Sequence, residues 1–124
     1  MEVTGEELAA RLGDPALTVL DVRSREEWSG EGGYGCDVRQ GHIPGARNVD
    51  VTELVTRSPD EIRALVGLPE GAEIVAYCHS GARSATATDA LRAAGYDARN
   101  YRGSWHEWSA DSSRPAEVRA PAGS

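Results

Sequence analysis

The chain of 124 residues is long enough to bury one small hydrophobic core and leaves little room for a second domain. Its net charge of −7 argues against nucleic acid or an anionic membrane as the partner, since phosphate groups are usually bound by basic surfaces. No apolar run approaches the roughly 20 residues that a membrane-spanning helix needs.

The N-terminal residues and the two cysteines bear on the cellular compartment in which we expect the protein to work. Residues 1–7 lack the basic and apolar regions of a secretory signal peptide, so we expect the protein to be cytoplasmic. In a reducing compartment the two cysteines, Cys36 and Cys78, are expected to be thiols and not a disulfide framework.

Helical and strand patterns alternate along the chain. A serine or threonine followed three residues later by glutamate predicts a helix start, and this capping pattern occurs at Thr4, Ser24 and Ser58. Helices are predicted over about 4–12, after Ser24, and over 52–56, 59–66 and 84–94, with a last turn at 104–108. Short apolar runs predict strands over 17–22, 48–49, 74–77 and 98–101. Between the second helix and Gly41, closely spaced glycines predict a flexible loop.

This alternation predicts an α/β fold with a central, mainly parallel sheet and helices on both faces. Trp105 and Trp108 can share one helical face and are expected to pack against the domain. From Ala110 onward Ser, Pro, Ala and Gly dominate the composition. We therefore expect residues 1–109 to form the domain and residues 110–124 to be a disordered tail.

Cys78 lies at the transition from a short apolar strand to a helical pattern. Amide groups in such a turn, together with the positive end of the following helix, stabilise an anion. A cysteine placed there is expected to have a lowered pKa and to act as a nucleophile. Asp21 ends another predicted strand, and parallel sheets place their sites at the carboxyl ends of strands. The sequence therefore predicts a site around Cys78 and Asp21.

Further motifs stand in order on both sides of Cys78. They are Val19-Leu20-Asp21-Val22-Arg23, Glu26-Glu27-Trp28, Gly41-His42-Ile43-Pro44-Gly45, Gly95-Tyr96 and Arg102-Gly103-Ser104-Trp105. Together with the Cys78 loop, this ordered set resembles the rhodanese-homology domain, the sulfurtransferase module, over most of residues 3–109. Residues 100–108 are most similar to the C-terminal, catalytic half of tandem-domain sulfurtransferases.

The resemblance implies a rhodanese-like fold and a reaction that needs no cofactor and no metal. In it, Cys78 takes a sulfur atom from a small anionic donor such as thiosulfate, carries it as a persulfide, and passes it to a thiol or to cyanide. Asp21 is expected to support the site by pairing with Arg83. The residues expected to bind the substrate are His79, Ser80, Gly81, Ala82, Arg83 and Ser84 of the loop, with Arg39 from the glycine-rich segment, residues 29–40.

Three alternatives stay open at this point. The module could be a persulfide carrier or interaction module that exchanges sulfur with one protein partner. It could also be a cysteine-based phosphatase or arsenate reductase, although those enzymes have a longer spacing between cysteine and arginine than the four residues between Cys78 and Arg83. Finally, Cys36 in the glycine-rich segment could form a regulatory disulfide with Cys78.

Overall fold

The computed structural model describes residues 2–118, and its centre is a sheet of five parallel strands. The strands are β1 (Glu2–Val3), β2 (Leu17–Asp21), β3 (Arg47–Asn48), β4 (Glu73–Tyr77) and β5 (Asp97–Tyr101). Their order in the sheet is β1-β5-β4-β2-β3, which places β4 between β5 and β2. The predicted parallel α/β fold is confirmed.

In the described residues, six helices connect and cover the strands. They are α1 (Gly5–Ala10), α2 (Arg25–Ser29), α3 (Val51–Val55), α4 (Pro59–Val66), α5 (Ala82–Ala93) and α6 (Ser104–Ala110). The predicted capping boxes at Thr4, Ser24 and Ser58 are all present, each with its glutamate side chain accepting a bond from the capping residue's amide. The first helix ends at Ala10, earlier than predicted, because the Arg11 amide bonds to the carbonyl of Leu8, only three residues back, and Arg11 leaves the helical conformation at φ −110°.

Apolar side chains form one cluster on each face of the sheet. Successive residues of a strand point to opposite faces. Leu20 and Ala76 therefore belong to the cluster that packs under α3, α4 and α5, whereas Val19 and Val75 belong to the cluster beneath α1 and α6. The two tryptophans of α6 are fully buried in the second cluster, so the prediction that they pack is confirmed.

The segment after α6 packs against the domain as far as Val118. His42 and Glu117 exchange two backbone hydrogen bonds, of 2.8 and 2.9 Å, and the indole of Trp108 donates to the carbonyl of Pro115 at 2.7 Å. The prediction of a disordered tail was therefore wrong for residues 110–118: Ala110 belongs to α6, and the composition of the segment after it did not reveal that it pairs with a distant loop. Residues 119–124 lie outside the described part. Within residues 2–118, no helix is both long and apolar enough to cross a bilayer.

Candidate active site

The loop that follows β4 runs from Cys78 to the start of α5 at Ala82. It can turn so tightly because Gly81 adopts φ +100°, a conformation that residues with a Cβ rarely take. A Cβ at this position would also lie 2.6 Å from the carbonyl oxygen of Arg102. Glycine is therefore required here on two independent grounds.

The thiol of Cys78 is the point on which the loop's donors converge. Its Sγ accepts hydrogen bonds from the amide of Gly81 at 3.1 Å and from the amide and hydroxyl of Ser84, both at 3.4 Å. The residue is only 1% exposed. Burial raises the pKa of the thiol, but the hydrogen bonds from Ser84, Gly81 and the Ser80 amide lower it more, so the net pKa lies below the ordinary cysteine value. The loop thus favours a thiolate, as predicted from its position.

Substitution of Ser84 by alanine is expected to raise the pKa of Cys78. The change removes the hydroxyl donor to Sγ and keeps the amide donor, so the thiolate loses part of its stabilisation. The measurement is a pH titration of thiolate ultraviolet absorbance in EDTA, in a Cys36→Ser background where Cys78 is the only thiol. A midpoint that does not rise in Ser84→Ala would contradict the assigned role of the hydroxyl.

The N-terminal end of α6 holds the other side of the loop. Amides of Trp105 and His106 donate to the carbonyls of Cys78 and His79 at 2.9 and 3.0 Å. The hydroxyl of Ser104 accepts from the Cys78 amide at 3.1 Å and donates to the Tyr101 carbonyl at 2.9 Å. Ser104 has φ 57°, an uncommon conformation for a residue other than glycine. The sequence reasoning assigned Ser104 no role, although it stands in one of the motifs quoted above.

Arg83 does not pair with Asp21, so that prediction was wrong. The guanidinium of Arg83 makes two hydrogen bonds, of 2.9 and 3.1 Å, to the carboxylate of Glu27 in α2. Asp21, the last residue of β2, instead binds Arg23 just beyond the strand, with distances from 2.6 to 3.1 Å. Sequence spacing could not reveal the Glu27 contact, because Glu27 is fully explained at that level as the capping partner of Ser24.

Arg39 lies beside the C-terminal end of α6. Its guanidinium donates to the carbonyls of Trp108, Ser109 and Asp111 at 3.0–3.3 Å. The Trp108 and Asp111 carbonyls also accept bonds from the amides of Asp111 and Arg114, so Arg39 adds to the hydrogen bonding at this helix end. The predicted contact between Arg39 and the substrate stays a prediction.

His79 faces the glycine-rich segment and Ser80 faces solvent. The ring of His79 stacks on Tyr34 and bonds to Asp37 at 3.0 Å.

Cys36 and Cys78 are both unpaired thiols. The proposed disulfide between them stays a prediction.

Two surface cavities adjoin the loop, with volumes of 570 and 340 Å³. Glu2, Ser80 and Arg102 line both of them, and Cys78 lines neither because its thiol lies beneath the loop. Arg102 is exposed and is the cation that both cavities share. The sequence reasoning did not select it.

Nearly all of the residues that the structure describes match one protein-family model. Residues 4–111 match the model for the rhodanese-like domain. The chain belongs to this family. It is 36% identical over 110 residues to the human thiosulfate:glutathione sulfurtransferase, covering 82% of this chain and 87% of the relative. It is 37% identical over 106 residues to the sulfur carrier protein TtuD of Thermus thermophilus, covering 73% of this chain and 37% of that protein.

Among solved structures, the crystal structure of a probable thiosulfate sulfurtransferase superposes on this rhodanese-like domain with a TM-score of 0.81. The two are 43% identical, and the match covers 94% of this chain and 47% of that one. The chain spans about two fifths of the length of several curated relatives. This rhodanese-like domain therefore corresponds to one part of those longer proteins.

Proposed function

We propose that this rhodanese-like domain is a sulfurtransferase that moves a sulfane sulfur from thiosulfate or a similar donor to a thiophilic acceptor. The observation that carries the proposal is the Cys78 thiol, buried at the carboxyl end of β4 with three hydrogen-bond donors aimed at its sulfur. The names of the human relative and of the structural neighbour support thiosulfate as the donor. We further propose a reducing, cytoplasmic location, because the proposed reaction needs Cys78 as a free thiolate.

The proposed reaction has two displacement steps at sulfur. The Cys78 thiolate attacks the outer sulfur of thiosulfate, a new sulfur–sulfur bond forms, and the bond to the inner sulfur breaks. Sulfite leaves with that electron pair. A cyanide or thiolate acceptor then attacks the terminal sulfur of the persulfide and releases the Cys78 thiolate. The amides of Gly81 and Ser84 are placed to hold the negative charge in both states.

The position of Arg83 favours this reaction over phosphate chemistry. A phosphatase loop needs its arginine directed at the bound anion, where the guanidinium makes charge-assisted bonds to phosphate oxygens. Here the two terminal nitrogens of Arg83 bind Glu27. The cysteine-based phosphatase and arsenate reductase readings are therefore the weaker proposals.

Thiocyanate formation from thiosulfate and cyanide tests the proposal, with hydrolysis of p-nitrophenyl phosphate measured on the same preparation. We expect turnover in the first assay and none above buffer in the second. Turnover of the phosphate ester alone would overturn the assignment.

The carrier protein TtuD among the relatives favours a second candidate, a dedicated persulfide carrier. That candidate predicts loading of Cys78 by a cysteine desulfurase without thiocyanate turnover.

Arg102 is expected to attract the anionic donor. Substitution of Arg102 by glutamine should raise the KM for thiosulfate with little change in kcat. The variant loses a charge-assisted hydrogen bond to the anionic donor, and solvent screens that bond at an exposed site. We therefore expect KM to increase by only about threefold to tenfold. Steady-state kinetics measure this, and Arg57→Gln, an exposed arginine between α3 and α4, is the matched control. Equal KM values in the two variants would contradict the assignment.

Alanine at position 81 is expected to lower the rate of sulfur transfer by about a hundredfold, since displacement of reacting groups by around 1 Å can cost that much. The new Cβ would force the loop away from the Arg102 carbonyl and move the amide that binds Sγ. Gly13→Ala is the control. Gly13 also has positive φ, at +83°, but a Cβ there meets nothing within 4 Å. Comparable rates in the two variants would show that the loop tolerates the change.

A further inference from the structure

Four side chains with metal-binding atoms meet beside the Cys78 loop. They are Cys36 and Asp37 of the glycine-rich segment, His79 of the loop and His106 of α6, and one ligand atom from each lies within 4.8 Å of the others. The chain contains two cysteines and three histidines in total. One of the cysteines and two of the histidines therefore converge on one point from three separate segments.

The carboxylate of Asp37 is the centre of this cluster. Its Oδ1 lies 3.0 Å from Nε2 of His79 and 3.0 Å from Nδ1 of His106, and the side chain is only 1% exposed. Its Oδ2 is buried and has no hydrogen-bond partner among residues 2–118. A buried carboxylate oxygen without a donor is costly, and a cation bound in the cluster would offset that cost.

The distances in the cluster are close to those of a tetrahedral zinc site. Bonds of about 2.0–2.3 Å from zinc to nitrogen, oxygen and sulfur separate neighbouring donor atoms by about 3.3–3.6 Å. Here the imidazole nitrogens lie 3.0 Å from the Asp37 oxygen, and the Cys36 sulfur lies 4.0 Å from Nε2 of His79. Side-chain adjustments on the order of 1 Å would bring all four donors to bonding distance.

The chemistry of the donors selects the class of metal. One thiolate, two imidazoles and one carboxylate suit zinc or another borderline transition metal, and they do not suit magnesium or calcium, which prefer oxygen ligands alone. The stacking of Tyr34 on His79 would help to fix the orientation of one imidazole.

We propose that Cys36, Asp37, His79 and His106 form a binding site for a zinc-type divalent metal. On binding, the Cys36 thiol loses its proton, and each imidazole presents to the metal the nitrogen that now faces Asp37. Because His79 directly follows Cys78, an occupied site ties the glycine-rich segment and α6 to the loop that carries the nucleophile. The proposal concerns metal binding alone and does not depend on the sulfurtransferase assignment.

Cobalt(II) is the probe that tests the site. The protein is freed of metal with EDTA, desalted under reducing conditions and titrated with cobalt(II) while the visible and near-ultraviolet spectra are recorded. We expect one equivalent to bind, with the visible bands of tetrahedral cobalt(II) and a thiolate-to-cobalt charge-transfer band. Zinc should then displace the cobalt. A parent protein that shows no saturable spectrum would overturn the proposal.

Variants decide which cysteine holds the metal. Cys36→Ser should remove the charge-transfer band, whereas Cys78→Ser should keep it; the reverse pattern would place the metal on the nucleophile and overturn the proposal. His106→Ala should raise the dissociation constant for cobalt(II) by about tenfold to a hundredfold. Asp89→Asn, which removes an exposed carboxylate on α5, is the control and should bind like the parent. Cys36 and His106 are exposed, so their variants should fold, and far-ultraviolet circular dichroism verifies this.

Discussion

Serine in place of Cys78 is expected to reduce thiocyanate formation from thiosulfate and cyanide by at least about a thousandfold, because removal of a covalent nucleophile eliminates the intermediate through which the reaction proceeds. Serine is close in size to cysteine and can accept the same hydrogen bonds from Gly81 and Ser84. The loop should therefore stay folded while the reaction stops. The measurement is steady-state thiocyanate formation at equal protein concentrations.

Thermal unfolding of the same variant separates a chemical loss from a structural one. We expect cooperative unfolding close to the parental Tm, since no atom larger than the original sulfur enters the core. A Cys78→Ser protein that is folded and still turns over at the parental rate would contradict the assignment of Cys78 as the nucleophile.

Alanine in place of Asp21 is expected to lower the free energy of unfolding by about 3–5 kcal/mol, the usual cost of leaving a buried charge without its partner. The side chains of Asp21 and Arg23 are 0% and 1% exposed, and their shortest contact is 2.6 Å. The Arg23 guanidinium also donates to the Gly41 carbonyl at 2.5 Å and lies over the ring of Trp105 at 5.2 Å. It thereby joins the sheet to the glycine-rich segment and α6.

Chemical denaturation measures this effect as a shift of the midpoint at unchanged slope. Should Asp21→Ala fail to fold, Asp21→Asn provides the comparison, since the amide keeps the shape and removes the charge. Asp60→Asn breaks an exposed ion pair with Arg63 and is the control, with a far smaller change expected. Equal destabilisation by Asp21→Asn and Asp60→Asn would show that the buried pair has no special weight.

The environment of the Cys78 thiol could be predicted because it depends on local signals. An apolar run before Cys78 and a helical pattern after it define a strand-to-helix turn, and the structure places β4 and α5 there. The donors to the thiol are backbone amides of the same turn, together with the Ser84 hydroxyl. Local sequence was therefore sufficient for this part of the site.

The ionic contacts of the site could not be predicted, because several arginines and carboxylates compete for one another. Asp21 had Arg23 two residues away and Arg83 across the fold as possible partners, and the nearer arginine occupies it. Arg83 is then bound by Glu27, 56 residues earlier in the chain. Sequence patterns cannot show which partner each charged side chain binds, since the choice depends on which side chains the sheet brings to the same edge.

The cluster of Cys36, Asp37, His79 and His106 escaped sequence analysis for a related reason. Short metal-binding motifs place two ligands within a few residues of each other on one turn or helix. Here only Cys36 and Asp37 are adjacent, and the two histidines lie 42 and 69 residues from Asp37. The fold alone brings the four together.

Peptide mass spectrometry after incubation with thiosulfate is the most direct test of the central claim that Cys78 carries the transferred sulfur. The protein is reacted with thiosulfate, separated from the donor, alkylated and digested, and the peptides that contain Cys36 and Cys78 are compared. We predict that the Cys78 peptide gains the mass of one sulfur atom and loses it again when cyanide is added. Sulfur found only on Cys36, or on neither cysteine, would contradict the claim.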